Sequence, residues 1–388
     1  YVSTTGGHQF PYDTWARAAT NLQDAIDVAQ VAYDAGATDA IVRVAAGVYS
    51  VNYRVTVTRG IAVQGVNGPL ATTLQRSAGS YGVLKIVHAD AVVSGLTFQG
   101  GNAALGDPED KGGGVYMTAG TVRDCRMIGC YAADEGGGVY MQTGLVENCV
   151  VSNNVCSDSG GGVHIESGGV MRNCVIATNT VSGNAGGGVW ITQGTVDRCV
   201  ITGNRTGSWG AGGAYLRHGA LRNSLVSGNR STSPNAPWTG GVFLETEGGA
   251  AGVMENCTVV RNTEGGVGLR AGQTTGRRIR NCIIYFNDPS NHVDNIGMDA
   301  TCTTPLPSVG ATNITTDPLF RNAGSGYGPG FANGNYRLTH LSPCVNAATR
   351  LDWMPGTADL DGRDRIFMGP PDLGAYEYPA SGTVILVQ

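Results

Sequence analysis

Acidic residues recur at one fixed place in successive copies of a glycine-rich repeat, and regularly spaced carboxylates are candidates for metal binding. Asp110, Asp134 and Asp158 each stand two residues before a G-G-G run, and Asn184 takes this place in the next copy. Stacked carboxylates repel, so a bound cation, raised pKa values or splayed solvated loops must relieve the repulsion. Oxygen-only ligands favour calcium over zinc. The sequence therefore predicts a candidate calcium site at these aspartates and Glu135, with splayed loops as the alternative.

The same part of the repeat contains groups that could transfer protons. His164 and Glu166 follow the acidic positions by a few residues, and together with Asp134 and Asp158 they are the candidate catalytic residues. Paired carboxylates beside a histidine could abstract a proton or hydrolyse a glycosidic bond. The other histidines are scattered along the chain, so the sequence predicts neither a zinc site nor a nucleophile triad.

A repeat of about 25 residues must position these groups. Glycine pairs that precede an apolar residue begin seven copies, at Gly113, Gly137, Gly161, Gly187, Gly212, Gly240 and Gly265. A period of this length is typical of a stacked architecture in which no single copy can bury its apolar face.

Each copy can be interpreted as short strands joined at glycine and asparagine corners. Apolar residues alternate with other residues, as in Val139 and Met141, and this period of two indicates strands. Cysteines and asparagines then recur at fixed positions, as at Cys149 and Asn154. Three short strands per copy, stacked in register about 4.8 Å apart, predict an all-β, single-stranded parallel β-helix. Residues 40–295 are predicted to form this β-helix, with clear repeats in 112–295.

Both ends of the β-helix require covering, because an open end exposes unpaired backbone. Residues 1–39 are predicted to form an N-terminal cap, with a helix that starts at a Thr20-x-x-Gln23 capping box and stops at Gly36. Residues 296–388 are predicted to form an irregular C-terminal cap. Its last segment, Thr383 to Gln388, is a β-prone strand that either pairs within the molecule or docks on a neighbouring one.

An aromatic column lies between the two apolar columns of the first strand, and alternation turns it outward. Its members are predicted to form a binding stripe: Tyr116, Tyr140, His164, Trp190, Tyr215 and Phe243. Three interpretations remain open for it, namely a ladder covered by the protein's own loops, a protein contact, and a glycan-stacking surface.

A second outward column alternates in charge and is interpreted as structural. Its members are Arg123, Glu147, Arg172, Asp197, Arg222, Glu255 and Arg280. Opposite charges on neighbouring coils favour the correct register over slippage. The ten cysteines are predicted to be mostly free thiols, since six share one inward column; Cys130 with Cys156 and Cys302 with Cys344 are the better disulfide candidates.

Several motifs resemble one known family. The segments A-A-T-N-L-Q-D-A-I-D and V-R-V-A-A-G-V-Y near the start, and D-P-L-F, S-P-C-V-N-A, D-L-D-G-R-D-R and D-L-G-A-Y-E near the end, resemble secreted bacterial right-handed β-helix proteins of the pectate-lyase-like superfamily. The resemblance implies the right-handed form of the fold and export to the cell surface. Lyases of this fold combine acidic calcium ligands with a basic residue, and related hydrolases use clustered aspartates, but no such motif matches here residue by residue.

Composition agrees with a secreted or cell-surface location. The chain has a net charge of -5, 14% charged residues and only two lysines, Lys85 and Lys111, so no basic patch for nucleic acid is expected. The longest apolar run, Thr383 to Val387, is too short to enter and span a bilayer. The absence of methionine at Tyr1 fits removal of a signal peptide, and equally an arbitrary chain boundary.

Two functional hypotheses follow from these patterns. The first is an extracellular structural or adhesive protein that binds a surface glycan or other copies of itself, forming a fibre or surface layer through the aromatic stripe and the terminal strand. The alternative is a calcium-assisted polysaccharide lyase or glycoside hydrolase that acts in a groove on the first-strand face.

Overall fold

A computed structural model describes residues 1–104, 109–207, 209–232, 239–245, 252–269, 278–293, 296–367 and 369–379. It shows a right-handed parallel β-helix, as the sequence predicts. Three long parallel sheets form its walls, and within the described residues their neighbouring strands pair in parallel and in register. We call them the site sheet, the charge-ladder sheet and the third sheet.

The strands of each sheet are short and stack one per coil. The site sheet contains Val55–Val57, Leu84–Ile86, Val115–Met117, Val139–Met141, Val163–Ile165, Val189–Ile191, Ala214–Leu216, Val242–Leu244 and Val267–Leu269. The charge-ladder sheet contains Ile41–Val44, Ala62–Gly65, Val92–Ser94, Thr121–Arg123, Leu145–Glu147, Gly169–Arg172, Gly194–Asp197, Ala220–Arg222, Val253–Glu255, Ile279–Arg280 and Met298–Asp299. The third sheet contains Gly47–Val51, Thr72–Arg76, Thr97–Gln99, Arg126–Ile128, Val150–Ser152, Val175–Ala177, Val200–Thr202, Leu225–Ser227, Thr258–Val260, Ile283–Tyr285 and Cys302–Thr303.

A fourth, two-residue strand closes six of the coils, and the sequence analysis did not predict it. These strands are Asn102–Ala103, Tyr131–Ala132, Val155–Cys156, Thr180–Val181, Arg205–Thr206 and Arg230–Ser231. Their inward residues form a small apolar cluster of their own, which includes Ala132 and Cys156. A two-residue strand is too short to show an alternating pattern, which explains why these strands were not predicted.

The interior confirms the predicted stacking of like side chains. Valine, isoleucine, methionine and cysteine fill one continuous core that runs along the coils. Beside it, a buried asparagine ladder joins coil to coil: the Nδ2 atom of Asn179 donates to Oδ1 of Asn204 at 2.9 Å, and Nδ2 of Asn204 donates to Oδ1 of Asn229 at 3.0 Å. The ladder thus satisfies the polar groups at a corner that water does not reach.

Part of the charge column forms ion pairs between neighbouring coils, whereas Asp197 pairs with Arg198 outside the column. Nε of Arg172 lies 2.5 Å from the carboxylate of Glu147, and Nε of Arg222 lies 2.9 Å from that of Glu255. Glu255 is fully buried and also pairs with Arg280. Removing Arg222 or Arg280 would leave the buried Glu255 carboxylate without part of its counter-charge, so these pairs favour the correct register of the coils.

The N-terminal helix, Leu22–Asp34, covers the first coil but starts differently from the prediction. Its N-cap is Asn21, whose Oδ1 accepts the Gln23 backbone N–H at 2.9 Å. The predicted Thr20 cap is wrong because that hydroxyl contacts the ring of His8 instead. Gln23 turns outward to the open edge of the site sheet, where its amide pairs with the backbone N–H and C=O of Thr56 at 2.8 and 3.1 Å. The helix ends before Gly36, as predicted.

The C-terminal region covers both the last coil and one outer face. Backbone N–H groups of Met298 and Ala300 donate to carbonyl groups of the segment around Val309, which closes the open edge. Farther on, an antiparallel pair, Phe320–Asn322 with Asn335–Leu338, and a 3₁₀ turn, Gly328–Gly330, follow. A separate apolar cluster packs this region onto the outside of the third sheet. The predicted terminal strand, Thr383 to Gln388, lies outside the described residues.

All ten cysteines are buried free thiols. Cys130 contacts the Phe98 carbonyl and Cys156 contacts the Asp134 carbonyl at 2.8 Å, so the disulfide suggested for this pair is wrong. Cys302 and Cys344 lie close together, and the hydrogen bond between them, with burial, raises the pKa of the Cys302 thiol. Among the described residues, no helix is both long and apolar enough to cross a membrane.

Candidate functional site

The predicted aromatic column forms a continuous stack on the outside of the site sheet. Its residues pair in register from coil to coil, and neighbouring ring centroids lie between 4.1 Å, for Trp190 and Tyr215, and 6.0 Å, for His164 and Trp190. Their strand neighbours, such as Val139 and Met141, point into the core, so the rings point away from it. The geometry of the stack is therefore as predicted.

Most of this stack is nevertheless covered. Tyr140, His164, Tyr215 and Phe243 are buried, and only Tyr116 and Trp190 are partly exposed. The loop before each strand folds back over the rings through a glycine such as Gly136, whose φ of 68° an L side chain rarely adopts. These four rings therefore belong to a ladder under the protein's own loops, which is one of the three interpretations left open by the sequence.

The covering loops carry the acidic residues, and three of the four predicted metal ligands meet there. Carboxylate oxygens of Asp134, Glu135 and Asp158 lie within 4.8 Å of one another. Asp110 is not part of this group, although its backbone carbonyl accepts the Asp134 N–H at 3.1 Å. An all-oxygen group of this kind suits calcium.

Lys111 already supplies a positive charge to this group. Its Nζ atom lies 2.7 Å from Oε2 of Glu135, 3.2 Å from Oδ2 of Asp134 and 5.0 Å from the centre of the Tyr140 ring. Burial opposes the charge on Lys111, but the hydrogen bonds and charges of the two carboxylates outweigh it and raise the pKa of the ammonium. A calcium ion would therefore compete with this lysine for the same oxygens.

The predicted catalytic residues lie beside the acidic group and share Glu135 with it. Donor atoms of Glu135, His164 and Glu166 lie within 4.8 Å of one another. Nε2 of the buried His164 lies 2.9 Å from Oε2 of Glu166, and its Nδ1 lies 3.4 Å from Oγ of Ser159. The ring is thus held from both sides by loop and strand, while Glu166 remains 38% exposed.

The environments of two carboxyl groups at this site shift their pKa values in opposite directions. Burial and the nearby charge of Asp134 raise the pKa of Asp158. The hydrogen bond from His164 lowers the pKa of Glu166. Such divergence is how one site holds a proton donor and an ionised base at the same pH.

Sequence reasoning missed the basic residues on this face. Arg54 and Lys85 both pair with Glu109 and lie 5.9 and 5.6 Å from the centre of the Tyr116 ring, one coil before Lys111. A signal existed, because the only two lysines of the chain are Lys85 and Lys111 and both fall near the stack. Lys85 pairs in register with Tyr116 and so extends the ring column, but its partner Glu109 lies outside that column, so the repeat does not reveal the ion pair.

Comparison with known proteins agrees with the fold. The chain resembles a pectate lyase, Pel9A, with 13% identity and a TM-score of 0.53 over 97% of this chain and 96% of that one. It is also similar to a pectin methylesterase from carrot, with 13% identity and a TM-score of 0.32 over 77% and 85% of the two chains. No protein with a curated description matches this chain in sequence.

The family itself is identified by sequence. Residues 56–197 and 178–326 match the family described as right handed beta helix region, and these matches include the acidic loops and the aromatic stack. The chain therefore belongs to the right-handed β-helix family.

Proposed function

We propose that the protein is a polysaccharide-cleaving enzyme of the glycoside hydrolase type, with its active site at the acidic loops of the site sheet. One observation carries the proposal: Glu135 lies within 4.8 Å of Asp134 and Asp158 on one side and of His164 and Glu166 on the other. Carboxyl groups that converge on one outward patch, around a buried imidazole, are the groups that glycoside hydrolysis requires.

The proposed roles follow from the environments of the carboxyl groups. Asp158, whose pKa is raised by burial and by the nearby charge of Asp134, is the group to which we assign proton donation to the glycosidic oxygen as that bond breaks. Glu166, whose pKa is lowered, is ionised and attacks the sugar carbon or removes a proton from water. His164 positions Glu166 through the 2.9 Å hydrogen bond and does not itself need to reach the substrate.

A row of polar residues beside the aromatic stack provides a surface for the sugar chain. Gln142, Glu166 and Thr192 stand on successive coils, each two residues after a ring of the stack. Oγ1 of Thr192 donates to Oε2 of Glu166 at 3.3 Å and accepts from Nε1 of Trp190 at 3.0 Å. The partly exposed Trp190 thus offers an apolar surface next to hydrogen-bonding groups, which suits a sugar.

Calcium-assisted lyase chemistry is the second candidate, and the group of Asp134, Glu135 and Asp158 favours it. These carboxylates would hold the ion once Lys111 moved away. When bound, calcium would neutralise an acidic sugar and favour removal of a proton beside its carboxylate. Glu166, as the ionised base of the site, would then accept that proton.

The structural or adhesive hypothesis is less favoured, because most of the surface that it requires is covered. Four of the six rings that were expected to bind a partner are buried under the protein's own loops. Self-assembly through the terminal strand stays a prediction, since that strand lies outside the described residues. A polysaccharide is therefore the partner we propose, and an extracellular location follows from that substrate class.

Activity assays on a panel of polysaccharides test the proposal. Pectate, mannuronan and an α-1,3-glucan would be incubated with the protein, with calcium or with chelator, and new reducing ends would be counted. Hydrolysis predicts reducing ends without ultraviolet absorbance and without dependence on calcium. A lyase predicts calcium dependence and the absorbance of an unsaturated uronate. Absence of new reducing ends throughout a broad panel would contradict both.

A further inference from the structure

The loop ridge that carries the acidic residues also carries an exposed tryptophan, Trp209. Asp134, Asp158 and Asn184 each stand five residues before the inward residue that opens a strand of the site sheet, namely Val139, Val163 and Val189. Trp209 stands five residues before Ala214 and so occupies the same place one coil later.

Backbone contacts confirm this alignment. The N–H of Asn184 donates to the Asp158 carbonyl at 2.7 Å, and the N–H of Trp209 donates to the Asn184 carbonyl at 3.1 Å. The Asn184 side chain also donates to the Asp158 carboxylate. Trp209 therefore lies two coils from the proposed proton donor, a separation of about two strand spacings of ~4.8 Å.

The backbone at Trp209 is held firmly. Its carbonyl accepts from Oγ1 of Thr206 at 3.1 Å, and Gly210 packs so closely that an added Cβ would lie 2.2 Å from Cβ of Ala185 and 2.9 Å from the Tyr215 ring. The indole itself is 58% exposed. The protein thus presents a large aromatic face from a rigid support, in line with the acidic site.

We propose that Trp209 is a sugar-binding residue, on which a pyranose ring of the polysaccharide stacks about two sugar units from the bond that is cleaved. This inference rests on the proposed function. One coil spacing of ~4.8 Å is comparable with the length of one pyranose unit in an extended chain. The indole offers an apolar face for the C–H groups of the sugar and needs no charge, so the same subsite accepts acidic or neutral sugars.

Stacking on Trp209 should affect the cleavage of long substrates and not of short ones. A dimer that occupies the cleavage site does not reach two coils away, whereas an octamer does. We therefore expect Trp209→Ala to lower kcat/KM for octamers by about tenfold and to leave kcat/KM for dimers unchanged. Trp209→Phe retains most of the activity on octamers because it keeps an aromatic face.

Trp15 provides a matched control. It is 44% exposed and contacts Tyr1 in the N-terminal cap, away from the acidic loops. Trp15→Ala is expected to cleave octamers at the wild-type rate. Equal kinetics for the two alanine variants on octamers, or an equal loss for Trp209→Ala on dimers and octamers, would overturn the inference.

A binding measurement separates this inference from the proposed activity. Electrophoresis in gels that contain pectate, mannuronan or the α-1,3-glucan reports binding without cleavage. Retardation that Trp209→Ala abolishes and Trp15→Ala preserves supports the subsite even if no polysaccharide is cleaved, which would contradict only the catalytic proposal. Cleavage of octamers with a Trp209→Ala variant that matches wild type would contradict only the subsite.

Discussion

Nε2 of His164 lies 2.9 Å from Oε2 of Glu166, although the His164 side chain is only 2% exposed and that of Glu166 is 38% exposed. The histidine is buried between two stacked rings, whereas the carboxylate remains accessible at the protein surface. A buried aromatic ladder therefore fixes the position of an exposed ionised group. This arrangement joins the stability of the coil stack to the chemistry proposed on its outside.

Lys111 is predicted to control cation binding at the acidic loops. Lys111→Met leaves Asp134 and Glu135 without their counter-charge next to Asp158, so it should lower stability by roughly 1–3 kcal/mol in chelator. Added calcium should restore the melting temperature of this variant and change that of the wild type less. Thermal unfolding with calcium and with chelator measures both effects.

Lys85→Met is the matched control, because Lys85 pairs with Glu109 and not with the acidic group. It should show no gain in calcium response. A Lys111→Met variant that unfolds at the same temperature with calcium and with chelator would contradict a cation site in these loops.

The buried asparagine ladder is predicted to contribute strongly to stability. Asn204→Ala removes the bonds that Oδ1 accepts from Asn179 and those that Nδ2 donates to Ile176 and Asn229. Because the partners are left unsatisfied in the interior, the free energy of unfolding should fall by about 3 kcal/mol or more. Urea unfolding of the variant and of Asn153→Gly checks this.

Asn153 is a suitable comparison because it is exposed and has a φ of 56°, which glycine adopts readily. We expect its substitution to change stability by less than about 0.5 kcal/mol. Similar losses in the free energy of unfolding for the two variants would show that the buried ladder contributes no more to stability than an exposed asparagine does.

The C-terminal cap is predicted to lose stability as pH rises. Burial raises the pKa of Glu377 from 4.5 to about 7, and burial also raises the pKa of Asp372. Between pH 4.5 and 7 the folded state binds more protons than the unfolded chain, so this contribution is complete below 4.5 and is lost as pH passes 7. The change for Glu377 corresponds to roughly 3 kcal/mol.

Melting temperatures across this pH range measure the effect. Above pH 7, Glu377→Gln should lower stability because it removes the charge paired with the buried Arg365, and across the whole range it should flatten the dependence on pH. Glu147→Gln, in the charge ladder, should keep the wild-type slope. A wild-type protein that becomes more stable from pH 5 to pH 8 would contradict the prediction.

The stacked columns were predictable from sequence because each coil repeats the same contacts. Val139, Cys149 and Asn154 follow one another at offsets that recur along the chain, and alternation decides which side chains face inward. The alternating charges of Arg172 and Asp197 likewise follow from register alone. These features depend on local spacing, which the sequence shows directly.

The features that the sequence did not predict depend on the paths of loops. The burial of Tyr140 follows from a loop that turns back at Gly136, and the counter-charge at Glu135 comes from a long side chain that reaches across from the preceding coil. Similarly, the helix starts at Asn21 because Thr20 finds a partner in His8. Tertiary contacts of this kind override a local motif.

Cleavage by a Glu166→Gln variant tests the proposed active site most directly. The amide can still accept a hydrogen bond from His164, and position 166 is partly exposed, so the melting temperature should stay near that of the wild type. On whichever polysaccharide the wild type cleaves, we predict that kcat falls at least about a hundredfold, because the ionised base is lost, while Glu147→Gln retains wild-type activity. A folded Glu166→Gln protein that cleaves at the wild-type rate would contradict this active site.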